Sequence, residues 1–272
     1  MKRYIQYIFL ITAIFCGGKT FSQDSIPTKA KQDTVEFHKV LIIPFNPEMY
    51  MSDADKEIIA TSKIRFAQLV NRFRAGLTIS IRAAVPAVFE SKILFADNDT
   101  LHELDKIYAA TEYKFEQLPL PIKKPSNKSF LKEKNKAQKQ EENAPKIVNG
   151  QLLVKENPQP KYINITIKDK DLLPYLNARY GADLFIFINQ FDIKNDLSDY
   201  VAIGNNEYQR EIRVHYSIFA QDGKQIYAGL ESNHFPSKIN DAQAIINHYF
   251  SSIASSITFH LPAYLLMKDN KQ

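Results

Sequence analysis

The sequence predicts an α/β (α+β) protein: a single domain with a mixed five-stranded sheet packed by two or three helices, and a long disordered insertion. Three observations support this. Asp183–Ile193 is a nearly unbroken run of aliphatic and aromatic residues, typical of a buried central strand. Ile212, Val214, Tyr216 and Ile218 alternate with Arg213, His215, Ser217 and Phe219, the period of a strand with one inward face. Asp222-Gly223 separates this run from residues 225–230, which indicates a tight β-hairpin.

The chain begins with the pattern of a secretory signal peptide over residues 1–22. Its apolar run is shorter than the roughly 20 residues that a membrane-spanning helix needs. The alternative interpretation lipidates Cys16, but bulky Phe15 precedes it where the lipoprotein pattern has a small residue. Cleavage after Ser22 removes the only cysteine, which would exclude disulfides and thiol catalysis from the mature chain.

Composition is that of an ordinary globular protein, with 44% hydrophobic and 24% charged residues. The formal net charge is +5, and three of these positive charges (Lys2, Arg3 and Lys19) lie in the predicted signal peptide, which leaves +2. A surplus this small predicts no nucleic-acid partner, because such a partner requires a concentrated basic face.

The first part of the domain is expected over residues 38–117, after a flexible polar leader at 23–37. It should contain a buried strand near 40–45, a helix start at Ser52 to Asp55 and a long helix near 62–90. The apolar stripe of that helix consists of Phe66, Val70, Phe73, Leu77, Ile81, Val85 and Val88. A short strand at Ile93, Leu94 and Phe95 and a helix capped by Asp99 follow.

Residues 118–160 are rich in Lys, Glu, Gln, Asn and Pro and are predicted to be a disordered insertion. The second part of the domain, residues 161–265, begins with a strand near 162–167 that we expect in the same sheet. A short helix capped by Asp169 or Asp171 comes next. After the strands near 183–193, 208–220 and 225–232, a closing helix at 241–261 is capped by Asn240-Asp241, and residues 266–272 form a tail.

Recognisable catalytic machinery is missing from the sequence, so we assign no catalytic, cofactor-binding or metal-binding residue and no cofactor. The six histidines (His38, His102, His215, His234, His248 and His260) form no metal-binding motif. Ser129-x-x-Lys132 matches a nucleophile pattern but lies in the insertion, where no oxyanion hole would be rigid. Asp192, Asp196 and Asp199 indicate a solvated acidic loop, since a calcium site needs more oxygen ligands.

Four segments together resemble a known periplasmic domain. They are the strand end Ile43-Pro44-Phe45, the helix-to-strand turn Tyr180-Gly181-Ala182-Asp183, the hairpin Asp222-Gly223-Lys224, and Ile226-Tyr227-Ala228-Gly229. The pattern is similar to the α/β domain shared by the curli-secretion lipoproteins, the lipoprotein activators of penicillin-binding proteins and the amino-terminal domain of the Tol propeller protein. The resemblance implies a non-enzymatic envelope protein that binds protein partners or assembles. It does not extend to pore formation, because the chain lacks recognisable membrane-inserting hairpins.

The sequence therefore favours an exported, non-catalytic protein in the periplasm, or associated with the outer membrane, of a Gram-negative bacterium. It would act through contacts with an envelope protein, with self-association left open and no transmembrane segment in the mature chain. Enzymatic activity stays open as an alternative: a hydrolase whose site forms only in three dimensions, with His215 beside Asp192 as first candidates. Against this, His215 alternates with Val214 and Tyr216 and is expected to face outward. A subunit of an envelope export or assembly apparatus is the third hypothesis.

Overall fold

Ten strands and five helices make up the part of the chain that the computed structural model describes, namely residues 37, 39–94, 98–118, 146–148, 151–153, 161–197, 201, 204–205 and 207–262. The strands are β1 (Lys39–Ile43), β2 (Tyr50–Ser52), β3 (Glu90–Ile93), β4 (Thr111–Gln117), β5 (Lys146–Val148), β6 (Gln151–Leu153), β7 (Lys161–Ile167), β8 (Leu184–Asp196), β9 (Gln209–Ala220) and β10 (Gln225–Pro236). The helices are α1 (Asp55–Ser62), α2 (Phe66–Ala84), α3 (Asn98–Ala109), α4 (Leu172–Tyr180) and α5 (Ala242–Phe259).

The main sheet has six strands in the order β10-β9-β8-β1-β3, with β2 beside the far end of β8. β1 is parallel to both of its neighbours, whereas β8, β9 and β10 form an antiparallel meander. This mixed sheet confirms the predicted α/β class and the central place of Asp183–Ile193. Because Val40 pairs with Leu184, the sheet is completed only by strands from both parts of the chain.

One face of the sheet is covered by α1, α2 and α5. The core there includes a group of contacting aromatic rings. The ring centres of Phe73 and Phe191 are 5.4 Å apart, and those of Phe191 and Phe250 are 5.7 Å apart. The predicted stripe of α2 is confirmed in its middle, where Phe73, Leu77 and Ile81 are buried. The helix is shorter than 62–90 because Pro86 cannot continue it, so Val88 lies beyond it and is 57% exposed.

The other face carries α3, α4 and a two-stranded ribbon of β4 and β7. The strand near 162–167 was expected in the main sheet, and this prediction was wrong in its partner: β7 pairs with β4 alone. Gln117 is opposite Lys161 in the ribbon, so the predicted insertion leaves and returns at neighbouring points. Within it the structure describes the hairpin of β5 and β6. Residues 119–145, 149–150 and 154–160, which include Ser129 and Lys132, lie outside the described residues, as do the predicted signal peptide with Cys16, the leader up to residue 36 and the tail.

Local signals at three helix ends position the second half of the fold. Asp241 caps α5 as predicted, with its carboxylate accepting a bond from the Ala244 N–H at 2.8 Å. Asp171 occupies the N-cap position of α4 without a side-chain bond to the helix. Gly181 ends α4 with φ of +66°, a left-handed conformation that favours glycine. The turn that follows directs the chain into β8.

Candidate functional site

A bulge in β8 decides which side chains face the ribbon. The register with β9 shifts between Ile188 and Gln190, so one extra residue, Asn189, enters the strand. Before the bulge the even-numbered residues of β8, such as Ile188, face α1, α2 and α5. After the bulge the odd-numbered residues, such as Phe191, face these helices. As a result Asn189, Gln190 and Asp192 all lie on the ribbon side.

Buried polar side chains of the main sheet bind the free edge of β7. The Ile163 N–H donates to His215 Nδ1 at 2.9 Å, and Asn189 Nδ2 donates to the Ile163 carbonyl at 2.8 Å. Asn189 also donates to Ser217 Oγ at 2.8 Å, which in turn donates to Asn164 Oδ1 at 2.7 Å. We call these five residues the polar layer. It replaces the strand partner that β7 lacks on this side, because buried backbone groups must be paired.

His215 and Asp192 do come together, as the hydrolase hypothesis required. His215 Nε2 is 3.4 Å from Asp192 Oδ2, and Gln190 Nε2 donates to Asp192 Oδ1 at 2.6 Å. His215 is 5% exposed, so the expectation that it faces outward was wrong. A strand pattern cannot reveal this, since it does not show that a ribbon covers the second face.

The orientation of the His215 ring is that of a structural group. Because a backbone N–H donates to Nδ1, the proton of the neutral ring is on Nε2, toward Asp192. A general base orients itself with one ring nitrogen and leaves the other free for the substrate. Here the Ile163 amide occupies that second nitrogen, so the pair holds the ribbon and has no nitrogen available to accept a proton.

Within the described residues, acidic side chains do not gather into a metal site. Among the described residues no group of three His, Cys, Asp or Glu side chains is arranged to hold a metal ion. Asp192 is buried beside His215, so it does not belong to a solvated loop as predicted. Asp196 ends β8, and Asp199 lies outside the described residues.

The carboxyl end of β1, where open α/β sheets commonly bind ligands, is filled by protein side chains. Buried Arg74 donates from Nε to the Phe45 carbonyl at 2.7 Å and from Nη2 to the Tyr108 hydroxyl at 2.9 Å. That hydroxyl donates to the Pro44 carbonyl at 2.9 Å. Burial raises the pKa of Tyr108 to about 12, so the phenol stays protonated at neutral pH. This end of the sheet is a fixed junction between β1, α2 and α3.

A second polar cluster, which the sequence analysis did not predict, lies where β10 meets the end of α5. The buried Tyr216 hydroxyl is 2.8 Å from His260 Nδ1 and 3.4 Å from Glu231 Oε1, and the Tyr227 ring stacks on His260 at 3.7 Å. A groove of about 330 Å³ opens beside them. Its lining consists of Glu231, Ser255, Ser256, Phe259 and His260, and we call it the edge groove.

Burial governs the ionisation of the groups in the edge groove. It raises the pKa of the Glu231 carboxyl and lowers the pKa of His260, because both charged forms lose hydration there. It also raises the pKa of Tyr216 well above that of a free phenol. Half-buried groups with shifted pKa values beside an opening are candidates for ligand contacts.

Protein-family models, curated proteins and solved structures include no match to this chain. Function is therefore inferred from the geometry of the described residues. The polar layer is closed by the ribbon, whereas the edge groove is open to a ligand.

The residues of the edge groove were invisible to motif analysis because they come from separate elements. Tyr216, Glu231 and His260 lie on β9, on β10 and just after α5, with 15 and 44 positions separating Tyr216 from the other two. One signal was available: Glu231 is the only acidic residue in the apolar and neutral segment from 225 to 236. A lone carboxylate on a half-buried strand indicates a group with a specific contact.

Proposed function

We propose that this is an exported cell-envelope protein that acts without catalysis, through contacts with an envelope protein partner. Export is supported by the signal-peptide pattern at residues 1–22. The resemblance to the periplasmic α/β domain supports a binding role. None of the described helices has the length and apolar character needed to span a membrane.

The observation that carries the proposal is the outer edge of β10. This strand has twelve residues, and no strand of the described part of the chain pairs with its outer side. Proteins usually protect such an edge with lysines, a central proline or a short strand. β10 contains no lysine, its proline is the last residue, Pro236, and its one irregularity lies at the start, between Gln225 and Tyr227. Its one acidic side chain, Glu231, points to the α5 side, and an edge of this length with so little protection is suited to pairing with another chain.

The backbone groups that face outward follow from the pairing with β9. Ser237 N–H donates to the Tyr208 carbonyl at 2.9 Å, which makes these two a hydrogen-bonded pair. Such pairs alternate along an antiparallel ladder. The groups directed to the open edge are therefore those of Ala228, Leu230, Ser232 and His234.

The hydrolase alternative has one observation in its favour, the approach of His215 to Asp192. It would require the Ile163 amide to leave Nδ1, and with it the ribbon to detach. Detachment of the ribbon would break the hydrogen bonds of the polar layer and expose the buried Ile163 and Ile165 side chains to water, at about 1.5–3 kcal/mol each. The closed polar layer therefore favours the binding role.

The proposal is tested by blocking the edge. Replacing Leu230 with a photo-crosslinking amino acid in living cells should give one recurrent adduct, whose partner is then purified. Ser232→Pro removes an outward N–H at an exposed position that β9 does not use, so the fold should be kept. We expect it to weaken binding of the purified partner at least about tenfold, the effect of losing roughly one edge hydrogen bond and its register.

Ser232→Ala is the matched control and should bind like the parent. Unchanged thermal unfolding in both variants would show that the sheet is intact. Equal binding by the proline and alanine variants, or the absence of a recurrent adduct, would refute the role of β10 in partner contact.

A further inference from the structure

We propose that the edge groove binds an extended segment of the partner protein, which adds to β10 as a further strand and places an Arg or Lys side chain against Glu231. This rests on the proposed function in taking the partner to be a protein. It adds the mode of binding and the chemistry of the recognised side chain.

The shape of the groove fits alternate side chains of an added strand. On the helix side of β10, Asn233 Nδ2 donates to the Tyr249 carbonyl at 3.2 Å and to Ser252 Oγ at 2.8 Å, which closes one end. The stacking of Tyr227 on His260 closes the other end. Between these closures lies the groove. A strand beside β10 directs every second side chain toward α5, so one of them would enter here.

Gly229 lies two residues before Glu231, on the same side of β10. Gly229 is paired with Tyr216, and a Cβ there would lie 3.1 Å from the Tyr227 ring. A larger residue would push this ring toward the opening. The absence of a side chain at position 229 therefore leaves room for the Tyr227 ring in its present position.

Glu231 lacks a cation in the described part of the chain. It forms no ion pair with any described residue, and its hydrogen-bond partners are the hydroxyls of Tyr216 and Ser256. Burial without a counter-ion disfavours its charged form, and a bound cation would reverse that effect. Burial lowers the pKa of the neighbouring His260, which disfavours an imidazolium that would compete for the carboxylate.

Phe259 supplies a second contact for a cationic side chain. It is 49% exposed on the last turn of α5 and lines the same groove. A guanidinium or ammonium group that pairs with Glu231 could lie over the Phe259 ring and gain a cation–π interaction. Carboxylate and exposed ring together favour a basic side chain over an acidic or apolar one.

A second copy of this chain fits the groove poorly. β10 contains no lysine or arginine, so a copy of β10 cannot supply the cation. If two copies of β10 paired antiparallel through their outward even-numbered residues, a two-fold axis at Leu230 would place Glu231 of one copy opposite Gly229 of the other. An axis at Glu231 would place two carboxylates against each other, which is destabilising. Charge complementarity therefore assigns the site to a partner with different sequence.

Three synthetic peptides test the inference on the purified protein. They share the sequence Thr-Val-Thr-Val-Xaa-Val-Thr-Val-Thr, with arginine, glutamine or glutamate at the centre. We expect the arginine peptide to bind about tenfold more tightly than the glutamine peptide, the effect of one charge-assisted hydrogen bond in a half-buried site, and the glutamate peptide most weakly. Binding should protect the outward amides of Ala228, Leu230 and Ser232 from hydrogen exchange.

Glu231→Gln should abolish the preference for arginine and leave binding of the glutamine peptide unchanged. Glu112→Gln, at an exposed position on β4, is the matched control and should keep the preference. Ser232→Pro should weaken all three peptides, because it blocks the added strand itself.

Each contrary result separates the inference from the proposed function. Equal binding of arginine and glutamine peptides would overturn the assigned chemistry while the edge stays a protein contact. A dimer that Ser232→Pro dissociates would assign the groove to a second copy and overturn the inference. If the peptides bind only after residues 122–156 are replaced, the edge groove would be assigned to that segment of the same chain, and the inference would be overturned. Absence of peptide binding, with the cross-linked partner still bound, would overturn the strand-addition mode alone.

Discussion

At the scale of single residues, His215 acts as a ligand for the backbone of another strand. Its ring accepts the Ile163 N–H and is oriented by Asp192, so a pair of side chains familiar from catalysis holds a ribbon in place. The direction of the hydrogen bond at Nδ1 distinguishes the two roles. Proximity of a histidine to a carboxylate does not distinguish them.

We predict that His215→Ala destabilises the protein by about 1–3 kcal/mol, because the Ile163 N–H is left buried without an acceptor. The free energy of unfolding in urea measures this. His248→Ala, at an exposed position on α5, is the control and should change stability by less than about 0.5 kcal/mol. Equal effects of the two substitutions would contradict the role of His215 as the acceptor of the Ile163 N–H.

We predict that Glu231→Gln raises the melting temperature at neutral pH by about 2 °C. The folded-state pKa of Glu231 is raised, so its contribution to stability is complete below the usual glutamate pKa and is lost as pH rises through the folded-state value. The difference between parent and variant should therefore vanish near pH 4 and grow toward pH 7. His260 has the opposite sign, since its lowered pKa costs stability as the pH falls.

Thermal unfolding of parent and variant between pH 4 and pH 8 checks this. A difference that does not change with pH would contradict burial of the carboxylate. A variant that is more stable but no longer prefers the arginine peptide would show that Glu231 is retained for binding at some cost in stability.

At the scale of elements, α5 is fixed at its start by a single carboxylate. We predict that Asp241→Ala costs about 1 kcal/mol, since the Ala244 N–H loses its acceptor. Asp241→Asn should retain most of the stability, because an amide oxygen also caps a helix. Denaturant midpoints of the three proteins measure the effect, and an alanine variant as stable as the parent would contradict it.

The sequence identified most elements because each has a local cause. The hydrophobic run of β8, the Asp222-Gly223 turn and the Asp241 cap act within a few residues, and all three are found where they were predicted. The partner of β7 has no local cause. Its residues alternate like those of any strand. Only the polar side chains on the second face of the main sheet decide that β7 packs on that face, paired with β4, and does not join the main sheet.

The candidate site was harder to predict for the same reason. His215 and Asp192 could be named from residue type alone, but the bulge at Asn189 puts them on a common face and their role depends on the Ile163 amide. Glu231 and His260 meet only because α5 returns across β10. Contacts between distant elements carry no signal in a single sequence.

At the scale of the whole molecule, the two parts of the chain complete one sheet. We predict that replacing residues 122–156 with a short Gly/Ser linker leaves a single cooperative unfolding transition within about 5 °C of the parent. The stretch leaves and returns at the paired residues Gln117 and Lys161, and loop-closure entropy changes only slowly with length. Calorimetry measures the transition.

Residues 38–117 and 161–265 expressed separately should give unfolded or aggregated material. Each lacks strands that the other supplies, since β1 lies between β8 and β3. A sharp melt from the second part alone would refute the single-domain interpretation.

The position of β1 also has a consequence for the order of folding. Lys39 bonds with Asp183, 144 residues later, so the first strand synthesised waits for a late one. The strands of the meander, β8, β9 and β10, follow one another directly in the chain, so the meander can form earlier, as a template into which β1 is inserted. We expect slow folding, in the millisecond-to-second range typical of non-local β topologies. Until β1 is inserted, the edge of β8 with which it finally pairs would be exposed and could be bound by a chaperone.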